Sequence, residues 1–290
     1  MHTPGAIEAE VEEVLGWVRS VLPGQGRGLR VLEVGCGPGY LASKLLRAGV
    51  RLTAIDVSEE QVRAARERGV PAIASDFLSF EAAERFDALL FTRSLHHISP
   101  LASAIRKIRV LLEPGGPALA DEFAHDEIDA TTAAWFFDLQ AALEESGVLA
   151  PDLPRQHGHR HHHRPEDRPP PDDPLERWRE RHLHEPPLHG ARAMVAALRA
   201  AFEVTVEERR TYLHRYLSDR LEDSDRGTRV FLRLRAVEQL RVDQGLLAPI
   251  GLRLVLGHRA SPGPRATVRG GHQRSSGGRL RRKAPKRSRS

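Results

Sequence analysis

A doubly wound α/β fold, with a parallel sheet covered on both faces, is what this 290-residue sequence predicts. Three observations lead there. Short apolar runs alternate with helical patterns of about ten residues through residue 124. The first run closes in a glycine-rich turn, Gly35-Cys36-Gly37-Pro38-Gly39. The second run ends on an acid, Asp56.

The elements follow in order. Ile7, Val11, Val14, Leu15 and Val18 share helical spacing, which predicts an opening amphipathic helix. Residues 28–35 form a short apolar run closed by glycine, a buried strand. Residues 40–49 read as a helix ended by Gly49. A second strand covers 50–56. A helix over 58–69 has Ser58 as N-cap and Gly69 at its end. Strands over 71–75 and 86–94, a helix within 98–116 that ends before Pro114, and a fifth strand over 117–124 complete the alternation. Residues 127–147 read as a helix rich in Phe and Leu. Further helices are expected over 190–202 and 227–245, a strand within 202–217 and a final strand over 250–259.

Composition bounds the function. No apolar run approaches the roughly 20 residues of a membrane span. The N-terminal stretch is acidic and amphipathic, unlike a signal peptide. Cys36 is the only cysteine, so no disulfide can form within the chain. A reducing cytoplasm is therefore expected. The formal net charge of +5 belongs to residues 260–290, which hold ten Arg and Lys and no acid. Without them, 34 bases face 39 acids, a net −5, so the basic pI does not mark a folded nucleic-acid surface. Forty Arg, four Lys and no Asn point to a GC-rich, bacterial genome.

Residues 150–174 are rich in Pro and His and hold few large apolar groups. Such a segment buries too little surface to offset its ordering entropy, so a disordered insertion is expected there. The predicted organisation is one domain over 1–259. It divides into a cofactor-binding core over 1–149, the insertion over 150–174, and completing helices and strands over 175–259. A disordered basic tail over 260–290 follows. His157, His159, His161, His162 and His163 lie in the insertion, which offers no fixed geometry or supporting hydrogen bonds for a metal, and none is expected.

The glycine turn sits between a strand and a helix, at the carboxyl end of the first strand, where doubly wound sheets bind ligands. Glycines allow tight turning and close approach to a ligand. A dinucleotide fingerprint would set the third glycine five positions after the first; here the spacing is four. Pro38 has no N–H to offer a pyrophosphate. Glu33, two residues before Gly35, would repel a pyrophosphate but welcome a cationic ligand. Asp56, 21 residues after Gly35, can accept hydrogen bonds from a ribose diol. It is read as an exposed strand-end acid whose removal costs the ligand-free protein little. Cys36 reads as a small packing residue of the turn.

At these residues the sequence resembles the class I S-adenosylmethionine-dependent methyltransferases, especially the small-molecule "type 11" kind. "LEVGCGPG" looks like their first motif, "AID" like the ribose-binding acid, and "SDF" (Ser75, Asp76, Phe77) like the adenine site. "FDALLFTRSLHHI" and "LLEPGG" resemble the fourth strand with its loop and the turn before the fifth strand. The resemblance implies a Rossmann-like, seven-stranded, mostly parallel sheet with residues 250–259 as an inserted antiparallel strand. It implies S-adenosylmethionine as cofactor, held by Glu33, Gly35, Cys36, Gly37, Gly39, Asp56, Val57, Asp76, Phe77 and Thr92. It also implies methyl transfer to a small organic acceptor.

His96 and His97 follow the fourth strand, where a near-neutral imidazole suits deprotonation of an acceptor. They are the candidate catalytic residues, and Asp121, Glu122 and His125 after the fifth strand share that standing. Two other functions are compatible with the fold: an RNA methyltransferase guided by the basic tail, and a non-catalytic S-adenosylmethionine-binding protein. The tail has no aromatic residue to stack bases, so a nucleic-acid partner is not expected.

Overall fold

The computed structural model describes residues 4–151, 171–222 and 224–257. The expectations for the histidine cluster and for the tail fall on residues outside this set.

Eight helices and seven strands are described. Helix α1 (Pro4–Val21) buries Val14, Leu15 and Val18 of the stripe its spacing predicts, while Ile7 and Val11 are half-buried and Ala6 is buried in addition. Strand β1 (Arg30–Val34) leads through the glycine turn into α2 (Tyr40–Arg47). Strand β2 (Arg51–Asp56) is followed by α3 (Glu59–Glu67), whose N-cap Ser58 accepts a hydrogen bond from the Gln61 N–H. Glu59 and Glu60 in its first turn complement the helix dipole. Next come β3 (Ala72–Ala74), β4 (Ala88–Thr92), α4 (Leu101–Leu111) and β5 (Ala118–Phe123). The remaining elements are α5 (Ala130–Glu145), α6 (Pro174–Arg181), α7 (Ala191–Ala201), β6 (Glu203–Arg210), α8 (Asp225–Asp243) and β7 (Gly251–Gly257).

The strands form one sheet in the order β3-β2-β1-β4-β5-β7-β6. Six strands run in one direction, and β7 runs antiparallel between β5 and β6. This is the expected seven-stranded pattern, with 250–259 as the antiparallel insertion. The sheet buries both faces because each helix covers one. Leu32, Val34, Ile55 and Phe91 pack with α4 and α7 on one side. Val31, Leu52 and Leu90 pack with α1, α2 and α3 on the other. A third cluster joins Phe123 to Phe136, Trp178, Tyr212 and Phe231.

Two predicted elements are shorter than the segments that predicted them. The helix expected over 127–147 starts at Ala130, because Asp129 caps it by accepting from the Thr132 N–H at 2.7 Å. A 3-10 turn (His125–Glu127) precedes it. The strand expected within 202–217 stops at Arg210, and Leu213–Tyr216 forms a 3-10 turn instead. The cause is tertiary: the buried Glu238 carboxylate accepts from the Tyr212, Leu213 and His214 N–H groups. The insertion expected over 150–174 is anchored at both margins. The Ala150 N–H donates to Arg220 O, and Asp173 caps α6.

Candidate functional site

The order of strands reverses direction between β1 and β4, which opens the crevice where doubly wound folds bind ligands. Registers Val34↔Ile55, Val34↔Phe91 and Thr92↔Asp121 bring the ends of β1, β2, β4 and β5 to one edge. The glycine turn, Asp56, Thr92 and the loop after β4 therefore meet there.

The turn is held from β2. Gly35 N–H and Cys36 N–H both donate to Ile55 O, at 2.8 and 3.0 Å. Gly35, Gly37 and Gly39 all have positive φ, +72°, +52° and +78°. Their surroundings separate their roles. A Cβ on Gly35 would lie 2.5 Å from Ser94 Cβ, and one on Gly39 would lie 2.9 Å from Ala65 Cβ. A Cβ on Gly37 would meet nothing closer than Gln61 Oε1 at 4.0 Å. Gly35 and Gly39 are packing glycines, while Gly37 leaves its backbone open.

Asp56 does more than face a ligand. Its Oδ2 accepts from Gly37 N–H at 2.8 Å, and its Oδ1 accepts from Ser58 N–H at 2.9 Å. It thus braces the turn and the start of α3 together. A carboxylate offers about four acceptor sites, so capacity for a diol remains. The expectation that this acid is dispensable to the ligand-free protein is corrected by these two bonds. Val57, next in the chain, is 54% exposed.

Glu33 is 1% exposed, and its Oε2 is buried with no hydrogen-bond partner. Burial, with the nearby Asp56 charge, pushes its carboxyl up to about 8. Cys36 is buried too; burial, then the Glu33 and Asp56 charges, raises its thiol well above the usual range. It stays protonated and packs, consistent with its reading as a turn residue.

Asp76 and Phe77 are placed differently from an exposed adenine clamp. Asp76 Oδ1 accepts from the Leu78 and Ser79 N–H groups, closing a local turn. The Phe77 ring is 2% exposed and meets Phe91 edge-on at 5.4 Å. Its side chain belongs to the core, so the ring-flanking contact expected of it is not available to that ring. Thr92 is half-buried at the end of β4.

Beyond β4, Arg93 adopts a left-handed backbone (φ +56°), which redirects the chain into a 3-10 turn (Leu95–His97). His96 is 2% exposed, with Nδ1 2.5 Å from Glu122 Oε2. His97 is half-buried, its ring 4.1 Å from that of His96 and 5.3 Å from that of His184. Near them, Phe123 stacks on Tyr212 at 5.0 Å, and His125 stacks on His182 at 5.6 Å. Burial lowers both imidazoles of the latter pair, disfavouring their charged forms. Among the described residues no group of three or more His, Cys, Asp or Glu is arranged to hold a metal ion.

Sequence reasoning missed Ser94. Its Oγ is buried without a partner, and its Cβ seats against Gly35. Nothing but its place after the fourth strand distinguishes it in the sequence.

Residues 31–116 match a family described as a methyltransferase domain. A solved S-adenosylmethionine dependent methyltransferase from Mesorhizobium loti superposes with a TM-score of 0.50 at 18% identity, covering 85% of this chain and 99% of that one. The fold is that of the class I S-adenosylmethionine-dependent methyltransferases. Similar curated proteins are ubiquinone biosynthesis O-methyltransferases. The one from Paracidovorax citrulli (strain AAC00-1) is 35% identical over 111 residues, 35% of this chain and 46% of that protein. The one from Xanthomonas oryzae pv. oryzae (strain PXO99A) is 37% identical over 97 residues, 31% of this chain and 41% of that protein. The chain thus spans less than half the length of these relatives. The family match runs from β1 to the turn after α4, the half of the sheet that carries the glycine turn.

Proposed function

We propose that this chain binds S-adenosylmethionine and transfers its methyl group to a small organic acceptor. The single observation that carries the reading is the buried, unpartnered oxygen of Glu33 beside an open glycine turn. A buried acid with no partner of its own gains one when a cationic ligand enters and draws it into the carboxylate form, and the ligand of this class carries both an ammonium and a sulfonium. S-adenosylmethionine supplies a methyl carbon activated by that sulfonium.

The residues present fit it. Glu33 and the Gly35–Gly37 backbone would hold the amino-acid end, and Asp56 the ribose diol. The backbone at Asp76 and Phe77 borders the position read for the adenine, and Thr92 lies on the same edge. The chain's task is alignment and the removal of one acceptor proton. His97, half-buried beside His96, is the imidazole of the pair better placed to meet an acceptor. The relatives are named as O-methyltransferases, which supports a hydroxyl acceptor. Residues 1–259 would form the methyltransferase domain. No described helix is long and apolar enough to cross a membrane, which accords with a cytoplasmic enzyme.

Calorimetry tests the reading. S-adenosylmethionine and S-adenosylhomocysteine should bind, and NAD should not. Tight NAD binding, or none by either sulfur ligand, would overturn it. Mass spectrometry of an extract given protein and S-adenosylmethionine should then reveal a metabolite heavier by one CH2.

A further inference from the structure

One buried carboxylate in β5 has no part in the function just proposed. Glu122 is fully buried, on the sheet face that packs against α4 and α7. Its Oε1 accepts from Ser94 N–H at 3.0 Å and from Leu95 N–H at 2.8 Å. Its Oε2 meets His96 Nδ1 at 2.5 Å. Three consecutive residues of the loop after β4 therefore converge on a single side chain. The first of them, Ser94, is also the residue against which Gly35 is packed. The third, His96, hands the loop on to His97 and, through its own carbonyl, accepts from His189 N–H before α7.

We infer that Glu122 is a positioning residue that seats the Ser94–His97 loop against the glycine turn, so that one carboxylate sets both the cofactor cradle and the histidine pair. The assignment rests on the cofactor reading above for its binding consequence, but not for the clamp itself. Burial favours the arrangement only because it is satisfied: an acid in this position without its three donors would be strongly disfavoured. The two effects travel through one contact chain, from the Glu122 carboxylate through the Ser94 backbone to Gly35, and from the same carboxylate to the His96 ring.

The molecule supplies its own control. Glu238 in α8 is built alike: it accepts from the Tyr212, Leu213 and His214 N–H groups and from His214 Nδ1. It holds a different 3-10 turn, one that does not touch the glycine turn in any of these bonds. Loss of either glutamate should cost stability; only loss of Glu122 should cost ligand affinity.

The test uses the full chain and S-adenosylhomocysteine as the probe. Glu122→Ala, Glu122→Gln and Glu238→Gln are compared by calorimetry, thermal melting and proton NMR of the imidazole N–H region. Coupling between linked sites is commonly about 5- to 150-fold. Glu122→Ala should therefore weaken binding at least about fivefold. Glu122→Gln, which keeps a carbonyl for Ser94 and Leu95, should restore most of that affinity while abolishing the far-downfield His96 Nδ1–H signal. Glu238→Gln should bind as the wild type does. Normal binding by Glu122→Ala overturns the assignment, as does an affinity loss in Glu238→Gln equal to that in Glu122→Ala. If Glu122→Ala does not fold, a wild-type His96 signal in the isosteric Glu122→Gln overturns it instead. If wild type itself fails to bind, the cofactor reading falls, and the NMR comparison still decides the clamp.

Discussion

Glu33 and Asp56 are two acids in one crevice with different physics. Asp56 accepts two backbone N–H groups; Glu33 Oε2 accepts nothing. Asp56→Ala should lower the stability of the ligand-free protein by about 1–3 kcal/mol, because it strands two donors. It should also weaken S-adenosylhomocysteine binding about tenfold or more, since a hydrogen bond to a charged group contributes about 1.5–3 kcal/mol. Chemical denaturation and calorimetry measure the two effects separately. Glu33 yields a pH prediction. Its folded carboxyl is raised from 4.5 to about 8, so folding favours its protonated form. That contribution is complete below about pH 4.5 and is lost as pH rises through about 8. The melting temperature of the ligand-free protein should fall from pH 5 to pH 8.5. Glu33→Gln should make that fall shallower, and an unchanged slope would show that this carboxyl is ionised throughout.

At the scale of the element, the glycine turn separates into parts with different readouts. Gly39 lies against α3, where an added Cβ would come within 2.9 Å of Ala65 Cβ and 3.1 Å of its Cα. Neither is the flexible end of a side chain. Gly39→Ala should therefore push α2 and α3 apart and destabilise the protein by about 1–3 kcal/mol, read in denaturant. Gly37→Ala has space for its Cβ and carries only the left-handed backbone cost, about 1–2 kcal/mol. If the open face of the turn is the cradle proposed above, the larger effect of that methyl group should be on S-adenosylhomocysteine affinity. If Gly37→Ala binds normally, the open face of the turn is not the cradle.

At the scale of the whole molecule, a buried ion network joins the first helix to the last strand. Asp121 accepts from Arg215 Nη1 and Arg253 Nε, each at 3.0 Å, and all three are buried. Burial alone would raise the Asp121 carboxyl, but the two guanidinium charges outweigh it and hold it below the usual range. Glu13 of α1 reaches Arg253, Arg210 and Arg235, and Glu10 reaches Arg93. Removing one partner of a buried ion pair leaves uncompensated charge and costs about 3–5 kcal/mol. Asp121→Ala should lower unfolding free energy by that amount, measured in urea. A loss under 1 kcal/mol would mean that Arg215 and Arg253 find other partners. Adjacent acids in one strand face opposite sides of the sheet, so Asp121 ties β7 and the Leu213–Tyr216 turn while Glu122 ties the loop after β4.

Local chemistry determined much of this by itself. Apolar periodicity placed the strands and helices through β5, because each buries one stripe or both faces against its neighbours. Ser58 and Gly69 marked the ends of α3 because capping depends on residues within one turn. The glycine spacing with Glu33 and Asp56 located the crevice, since a tight strand-to-helix turn has few sequence solutions. The rest depended on partners distant in the chain. Nothing local shows that Phe77 turns into the core onto Phe91, or that Ser94 seats against Gly35. The length of β6 was decided by Glu238, and the His96 loop is gathered by Glu122, 26 residues away from that histidine. Side-chain hydrogen bonds between elements carry no periodicity; a carboxylate in an apolar strand announces that it has partners, and only the packed structure says which.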